Sequence, residues 1–138
     1  MKTYEIIEHT ADIGIRVRGK NLRDLFRNAG LAIFQLLAEG KITKGIKYRK
    51  LSVRQKAGNQ DELFINWLNE LLSLSQAKEI IFTDFKIKKI TGNILEATAI
   101  GGDIKNYKVN MEVKAATYHG LKLEKSAAGW QAEVIFDV

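Results

Sequence analysis

The stretch Asn21-Leu22-Arg23-Asp24-Leu25-Phe26-Arg27-Asn28-Ala29-Gly30-Leu31-Ala32-Ile33-Phe34-Gln35-Leu36-Leu37 sets the architecture. Leu22, Leu25, Phe26, Ala29, Ile33, Leu36 and Leu37 recur at i, i+3 and i+4, a spacing that gathers them on one face of a helix. Asn21 stands where an N-cap belongs, because its side-chain oxygen can accept from a backbone N–H left free by the first turn. Asp24 places a carboxylate at the positive end of the helix dipole. Gly40, just after the last apolar pair, predicts the C-terminal stop. A second helix is expected from Asn59, with Asp61 and Glu62 in its first turn and Phe64, Trp67, Leu68, Leu71 and Leu72 along one face. Trp67 belongs to that stripe, so it is expected in the core and not as a platform for stacked bases.

Outside the helices the chain alternates with period two. Strands are expected over 4–9, 13–18, 49–55, 80–90, 94–100, 107–114, 121–125 and 130–136. Turn signals stand at Thr91-Gly92-Asn93, Gly101-Gly102-Asp103 and Ala128-Gly129. The order is strands, helix, strand, helix, then a long antiparallel run. It predicts a single α+β domain over 1–138, with two amphipathic helices packed against mixed or antiparallel sheets. There is no regular βαβ alternation, and no Gly-rich loop leads a strand into a helix, so a dinucleotide fold or phosphate cradle is not expected.

With 46% hydrophobic and 28% charged residues among 138, the chain has the composition of an ordinary globular domain. It contains no cysteine, which excludes disulfides, thiolate metal sites and a cysteine nucleophile. The opening MKTYEIIEHTADIG carries acids and a histidine where a signal peptide would need an apolar run. No apolar stretch approaches the roughly 18 residues of a membrane span. A soluble cytoplasmic protein is the expectation. The formal net charge of +6 is unevenly spread. Lys41, Lys44, Lys47, Arg49, Lys50, Arg54 and Lys56 follow one another without an intervening acid, and Lys86, Lys88 and Lys89 form a second knot. Two readings fit: solvated strand and loop faces, or an electrostatic face for RNA or a ribonucleoprotein partner.

Three patches offer chemistry. The first, Glu8-His9-Thr10-Ala11-Asp12-Ile13-Gly14, is a polar interruption between two apolar strands. Asp12 there either satisfies backbone N–H groups of a turn or contributes a free carboxylate. The second is Val134-Ile135-Phe136-Asp137-Val138, an apolar strand that stops at an aspartate and a final valine. Held in a sheet, the Asp137 side chain and the Val138 α-carboxylate would lie close together and repel unless a proton, a cationic side chain or a metal intervened. Hard divalent cations favour such all-oxygen sites, and calcium tolerates irregular geometry better than magnesium. Pairing of the first strand with the last would add Asp12. The third patch is Lys114-Ala115-Ala116-Thr117-Tyr118-His119-Gly120-Leu121, expected between two strands. His119 is a candidate acid or base and Lys114 a partner for phosphate or carboxylate, although a structural turn explains the same residues. No Ser/His/Asp spacing suggests a nucleophile, and two histidines without cysteine argue against a zinc site.

Taken in order, these patches resemble the archease family across essentially the whole chain. The matching stretches are 9–14, Leu22-Arg23-Asp24-Leu25-Phe26, Phe64-Ile65-Asn66-Trp67-Leu68-Asn69-Glu70-Leu71-Leu72, 113–121 and 134–138. The basic segment 41–56 is not part of the match. The resemblance implies an α+β fold without close enzymatic relatives and a non-catalytic role beside an RtcB-type tRNA-splicing ligase, which seals RNA through a guanylylated histidine. Family members promote that guanylylation and multiple turnover, and they widen the ligase's nucleotide choice. The resemblance further implies a metal site on Asp12, Asp137 and the C-terminal Val138, with calcium the associated ion. His9, Lys114 and His119 fall on matching positions without assigned roles. Competing readings are a chaperone or specificity modulator of a tRNA cytosine methyltransferase, and a plain RNA-binding module. A metal-dependent hydrolase ranks last, because no nucleophile-activating base accompanies the aspartates.

Overall fold

The computed structural model describes residues 3–8, 12–42 and 44–138. Its strands are β1 (Tyr4–Glu8), β2 (Ile13–Gly19), β3 (Ala38–Gly40), β4 (Arg49–Lys56), β5 (Ile80–Ile90), β6 (Ile94–Asp103), β7 (Tyr107–Val109), β8 (Ala115–Ser126) and β9 (Gly129–Asp137). Its helices are α1 (Leu22–Leu37) and α2 (Gln60–Lys78), with a short 3-10 turn at Ile104–Asn106. Every strand pairing among the described residues is antiparallel. The described strands form a four-stranded sheet ordered β1-β2-β9-β8, a three-stranded sheet ordered β4-β6-β5 and the small pair β3-β7.

Both helices begin where the sequence marks them. Asn21 Oδ1 accepts from the Asp24 N–H at 2.8 Å, and Asn59 Oδ1 accepts from the Glu62 N–H at 2.9 Å. Each side chain thereby satisfies a first-turn donor. The α1 terminus differs from expectation. The helix ends at Leu37, and Ala38–Gly40 runs straight into a strand, so Gly40 is the end of β3 and not a helix stop. The Ala38 N–H closes onto the Phe34 carbonyl, and the ladder with β7 takes over the backbone bonding from there. α2 ends at Glu79, which adopts the left-handed conformation at φ 53°.

The helices are buried on more than one side, beyond what a single apolar stripe predicts. α1 contacts β2 of the larger sheet and β5 of the smaller, while α2 contacts β8 on one side and β4 and β5 on the other. Asn28, Gly30, Ala32 and Phe34 are therefore buried along with the expected stripe of α1. A helix packed between two sheets loses its solvent-facing polar arc. Its buried polar groups must then find partners. Asn28 donates to the Arg18 carbonyl at 2.8 Å, which fastens α1 to the end of β2. Trp67 is fully buried, and its indole N–H donates to the Phe26 carbonyl at 2.8 Å. It is a core residue, as its place in the stripe predicts. Edge-to-face contacts of Phe26 with Phe64 at 5.1 Å and of Trp67 with Phe85 at 5.5 Å link α1, α2 and β5. Such pairs add about 0.5–1.5 kcal/mol each beyond their burial.

Strand β5 lies at an edge of its sheet, where unpaired carbonyls invite further pairing. Two arginines of α1 cover it. Arg23 Nη1 donates to the Ile87 carbonyl, Arg27 Nε donates to the Phe85 carbonyl at 3.2 Å, and Arg27 Nη2 reaches Asp84 at 2.6 Å.

Two strand boundaries depart from the sequence reading. Gly101-Gly102-Asp103, expected as a turn, continues β6 opposite Phe82, Ile81 and Ile80. Of the strand expected over 107–114, only Tyr107–Val109 forms, because its partner β3 is equally short. The Asn110 N–H turns instead to the Leu37 carbonyl at 2.7 Å.

A candidate carboxylate site at the end of the larger sheet

Strand β9 lies between β2 and β8. The expected pairing of the first strand with the last does not occur. β1 is the sheet's edge strand, with Ile6 58% exposed, and it is β2 that adjoins β9. The burial pattern explains the order. Ile15 and Val17 of β2, opposite Val134 and Ala132 of β9, are fully buried against the helices, as a central strand requires.

This arrangement still brings the expected aspartates to one end. Ile13 is directly opposite Phe136, so Asp12 and Asp137 occupy the next positions off the same end of the ladder. Phe136 faces the core, and the alternation of the strand turns Asp137 outward, where it is exposed. Asp12 is half-buried and Val138 is 40% exposed. On the other side of β9, Asp137 pairs with Ala115, and its carbonyl accepts from the Lys114 N–H at 2.8 Å. The backbone that carries Asp137 is thus held from both flanks.

Charge compensation is uneven over this sheet. Farther along its outer face, Glu133 accepts from Arg16 Nε at 2.9 Å and Nη2 at 2.6 Å, and Glu5 accepts from Arg16 at 3.2 Å and Arg18 at 2.7 Å. The Arg18 guanidinium first, then Arg16, holds the Glu5 carboxyl below its ordinary range. Arg16 does the same for Glu133. Among the described residues no ion pair engages Asp12 or Asp137. The donors at this end are hard oxygens, which suits a hard divalent cation. Among the described residues no three His, Cys, Asp or Glu side chains converge as a complete metal-binding cluster. A third ligand to Asp12 and Asp137 would therefore be a main-chain or terminal oxygen, or a residue outside the described set.

The remaining sequence candidates are distributed differently. His9 lies outside the described residues. The segment 114–121, expected as a connection between strands, belongs to β8 from Ala115 onward. Its register with β9 is interrupted between Thr117 and Lys122, and Gly120 takes φ 66° within that irregularity. His119 sits there, exposed, beyond the Thr117–Ile135 pair and away from the end that carries Asp137. Lys114 meets this end of the sheet through its backbone N–H, which donates to the Asp137 carbonyl. Sequence reasoning missed Asn69. From α2 it accepts from the Ala116 N–H at 2.7 Å and donates to the Ala116 carbonyl at 3.2 Å, fixing β8 next to Asp137. Its position in a helical stretch carries no signal of that distant strand.

The fold and site define a small antiparallel α+β protein whose helices contact two sheets, with Asp12 and Asp137 at one sheet end. A model of the Archease protein family (MTH1598/TM1083) matches residues 4–138, and the chain belongs to that family. Proteins named archease share 35% identity with it in Methanosarcina barkeri, over 99% of this chain and 97% of that one, and 35% in Pyrococcus abyssi over all of both. The solution structure of protein 1598 from Methanobacterium thermoautotrophicum superposes with a TM-score of 0.79 at 31% identity, covering 100% of each chain. A structure from Thermotoga maritima, named as an archease and possible chaperone, shares the fold with a TM-score of 0.66 at 24% identity. It covers 96% of this chain and 94% of its own. No helix among the described residues is long and apolar enough to cross a membrane.

Proposed function

We propose that this protein is a non-catalytic activator of an RtcB-type RNA ligase in tRNA splicing. It promotes guanylylation of the ligase and multiple turnover, and it widens nucleotide choice. The observation that carries the reading is the Ile13–Phe136 register, which puts Asp12 and Asp137 at one sheet end, on the positions where the family resemblance assigns metal ligands. Asp12, Asp137 and the α-carboxylate of Val138 would hold a divalent cation, for which calcium suits the irregular all-oxygen set. When bound, the cation supplies positive charge that offsets the nucleotide phosphates during attack by the ligase histidine. The chain's own contribution is positional. Pairing of β9 with β2 and β8 holds Asp137 at the end of an interior strand, where its carbonyl accepts from the Lys114 backbone N–H.

The test is single- and multiple-turnover ligation by the cognate ligase at fixed GTP and divalent metal, with and without this protein. Restored turnover that disappears with Asp12→Ala or Asp137→Ala supports the reading. Normal stimulation by both variants rules out the carboxylate account. No effect on any ligation step, with stable binding to a tRNA cytosine methyltransferase, would move the assignment to a chaperone of that enzyme.

A further inference from the structure

We propose that the solvent-facing side of the sheet β4-β6-β5 is a docking face for the sugar–phosphate backbone of structured RNA. The strand registers build it in rows. Lys50, Ile100 and Asp84 form one, and Ser52, Thr98 and Lys86 the next. Arg54, Glu96 and Lys89 follow, and then Lys56 beside Ile94. The alternate residues Val53, Leu95, Ala97, Ala99, Phe85 and Ile87 are buried, so the rows point away from the core. Lys50, Arg54, Lys56, Lys86 and Lys89 are exposed, and Lys88 stands exposed at the irregularity between Ile87 and Lys89.

The acids on this face are already engaged. Glu96 pairs with Arg54 at 2.7 Å, and Asp84 pairs with Arg27 of α1 at 2.6 Å. Arg54 first, with Lys89 and Lys88 nearby, keeps the Glu96 carboxyl below its ordinary range. The lysines remain as surplus positive charge. The larger sheet presents the opposite situation, since Arg16, Arg18 and Lys122 are matched by Glu5 and Glu133 on its outer face. The basic strand and the lysine knot seen separately in sequence become one surface only because β6 lies between β4 and β5.

The composition of the rows selects the partner. They contain no aromatic side chain, and the exposed aromatics Tyr48 and Tyr118 lie outside them. Single-stranded nucleic acid needs aromatic stacking platforms. Protein interfaces are depleted in lysine and built on buried anchors. Membrane-surface binding needs an apolar face, whereas Ile94 and Ile100 are themselves partly covered. Phosphate oxygens accept from lysine, arginine and hydroxyl groups alike, which is the chemistry these rows offer. Ser52 and Thr98 in the second row add hydroxyls suited to ribose 2′-OH groups. At strand spacings the face runs roughly 20 Å from Lys50 to Lys56 and about 10 Å across, room for several phosphates. The choice of RNA over DNA rests also on the ligase reading above.

The test is fluorescence anisotropy of the full chain with a labelled RNA hairpin, in the absence of any ligase and over a range of salt. The DNA hairpin of the same sequence, polyglutamate and anionic vesicles serve as competitors. RNA affinity should fall steeply with salt. Lys86→Glu with Lys89→Glu should weaken it at least about tenfold near 0.1 M salt and lower the log–log salt slope by about two. Lys125→Glu, an exposed charge reversal on the other sheet, should stay within about twofold of wild type. Circular dichroism and thermal melting check the fold of each variant, and Lys50→Ala with Lys56→Ala replaces the reversal if that variant unfolds. Unchanged RNA binding by folded variants overturns the proposal, as does a failure of the wild type to bind RNA. Equal competition by DNA, polyglutamate or vesicles also overturns it. Guanylylation of the ligase measured without RNA separates the two readings, because it reports on the carboxylate end and is independent of this face.

Discussion

Asn69 on α2 and Ala116 on β8 form a two-way clamp: the Asn69 side chain accepts from the Ala116 N–H at 2.7 Å and donates to its carbonyl at 3.2 Å. The side-chain amide takes the place of a neighbouring strand for one residue. It does so one position from Ala115, which pairs with Asp137. The larger sheet's edge strand is thereby tied to α2 next to the sheet end that carries Asp137. Asn69→Ala leaves both backbone groups of a half-buried site without this partner, and should lower stability by about 1–2 kcal/mol in chemical denaturation. Ligase stimulation should fall with it, whereas an equally destabilising change remote from β8 should leave stimulation intact.

Gly30→Ala is expected to destabilise, although alanine is normally the better helix residue by about 1 kcal/mol. A Cβ at Gly30 would lie 2.9 Å from Phe85 Cε2 and 3.2 Å from Leu71 Cδ1. Both neighbours belong to the packed core, where overpacking costs about 1–3 kcal/mol, so the clash outweighs the propensity gain. A higher melting temperature for Gly30→Ala would show that the helix layer can spread to admit a methyl group.

Acid should weaken the larger sheet through Glu5 and Glu133. Their carboxyls titrate below the ordinary value of 4.5 because Arg18 and Arg16 favour the ionised forms. A group depressed in the folded state binds protons more readily when unfolded, so its contribution is present above the unfolded value and is lost as pH falls through the folded one. Melting temperature should therefore decline below about pH 4.5. Arg16→Gln should make that decline shallower. An identical acid limb in the variant would place the acid sensitivity elsewhere.

Calcium should raise the melting temperature of the wild type and leave Asp137→Asn unmoved. A ligand of the native state at about a hundred times its Kd adds about 2.7 kcal/mol. Appending a glycine after Val138 moves the terminal carboxylate and should cut the calcium response. A full response in the extended chain would show that the α-carboxylate is not a ligand.

The helices, their N-caps and most strands were legible in the sequence because they depend on local chemistry. Asn21 and Asn59 cap within their own first turns, and period-two alternation follows from one sheet face meeting the core. The errors fall where pairing across the chain decides. Gly40 and Gly101-Gly102-Asp103 look like punctuation, yet a partner strand converts each into ladder. The segment 107–114 looks like a strand, and β3 is long enough to pair only its start.

By itself the sequence determined an α+β domain, the helix limits at their starts, the core position of Trp67 and the family, since these rest on residue order and periodicity. Only the tertiary structure decided that β2 and not β1 adjoins β9, and so which loop end meets Asp137. It also decided that the basic residues of β4 and β5 share one face across β6. The physical reason is the same in both cases. Strand neighbours are chosen by which apolar faces bury best against the helices, and that competition among distant segments leaves no mark on any one of them.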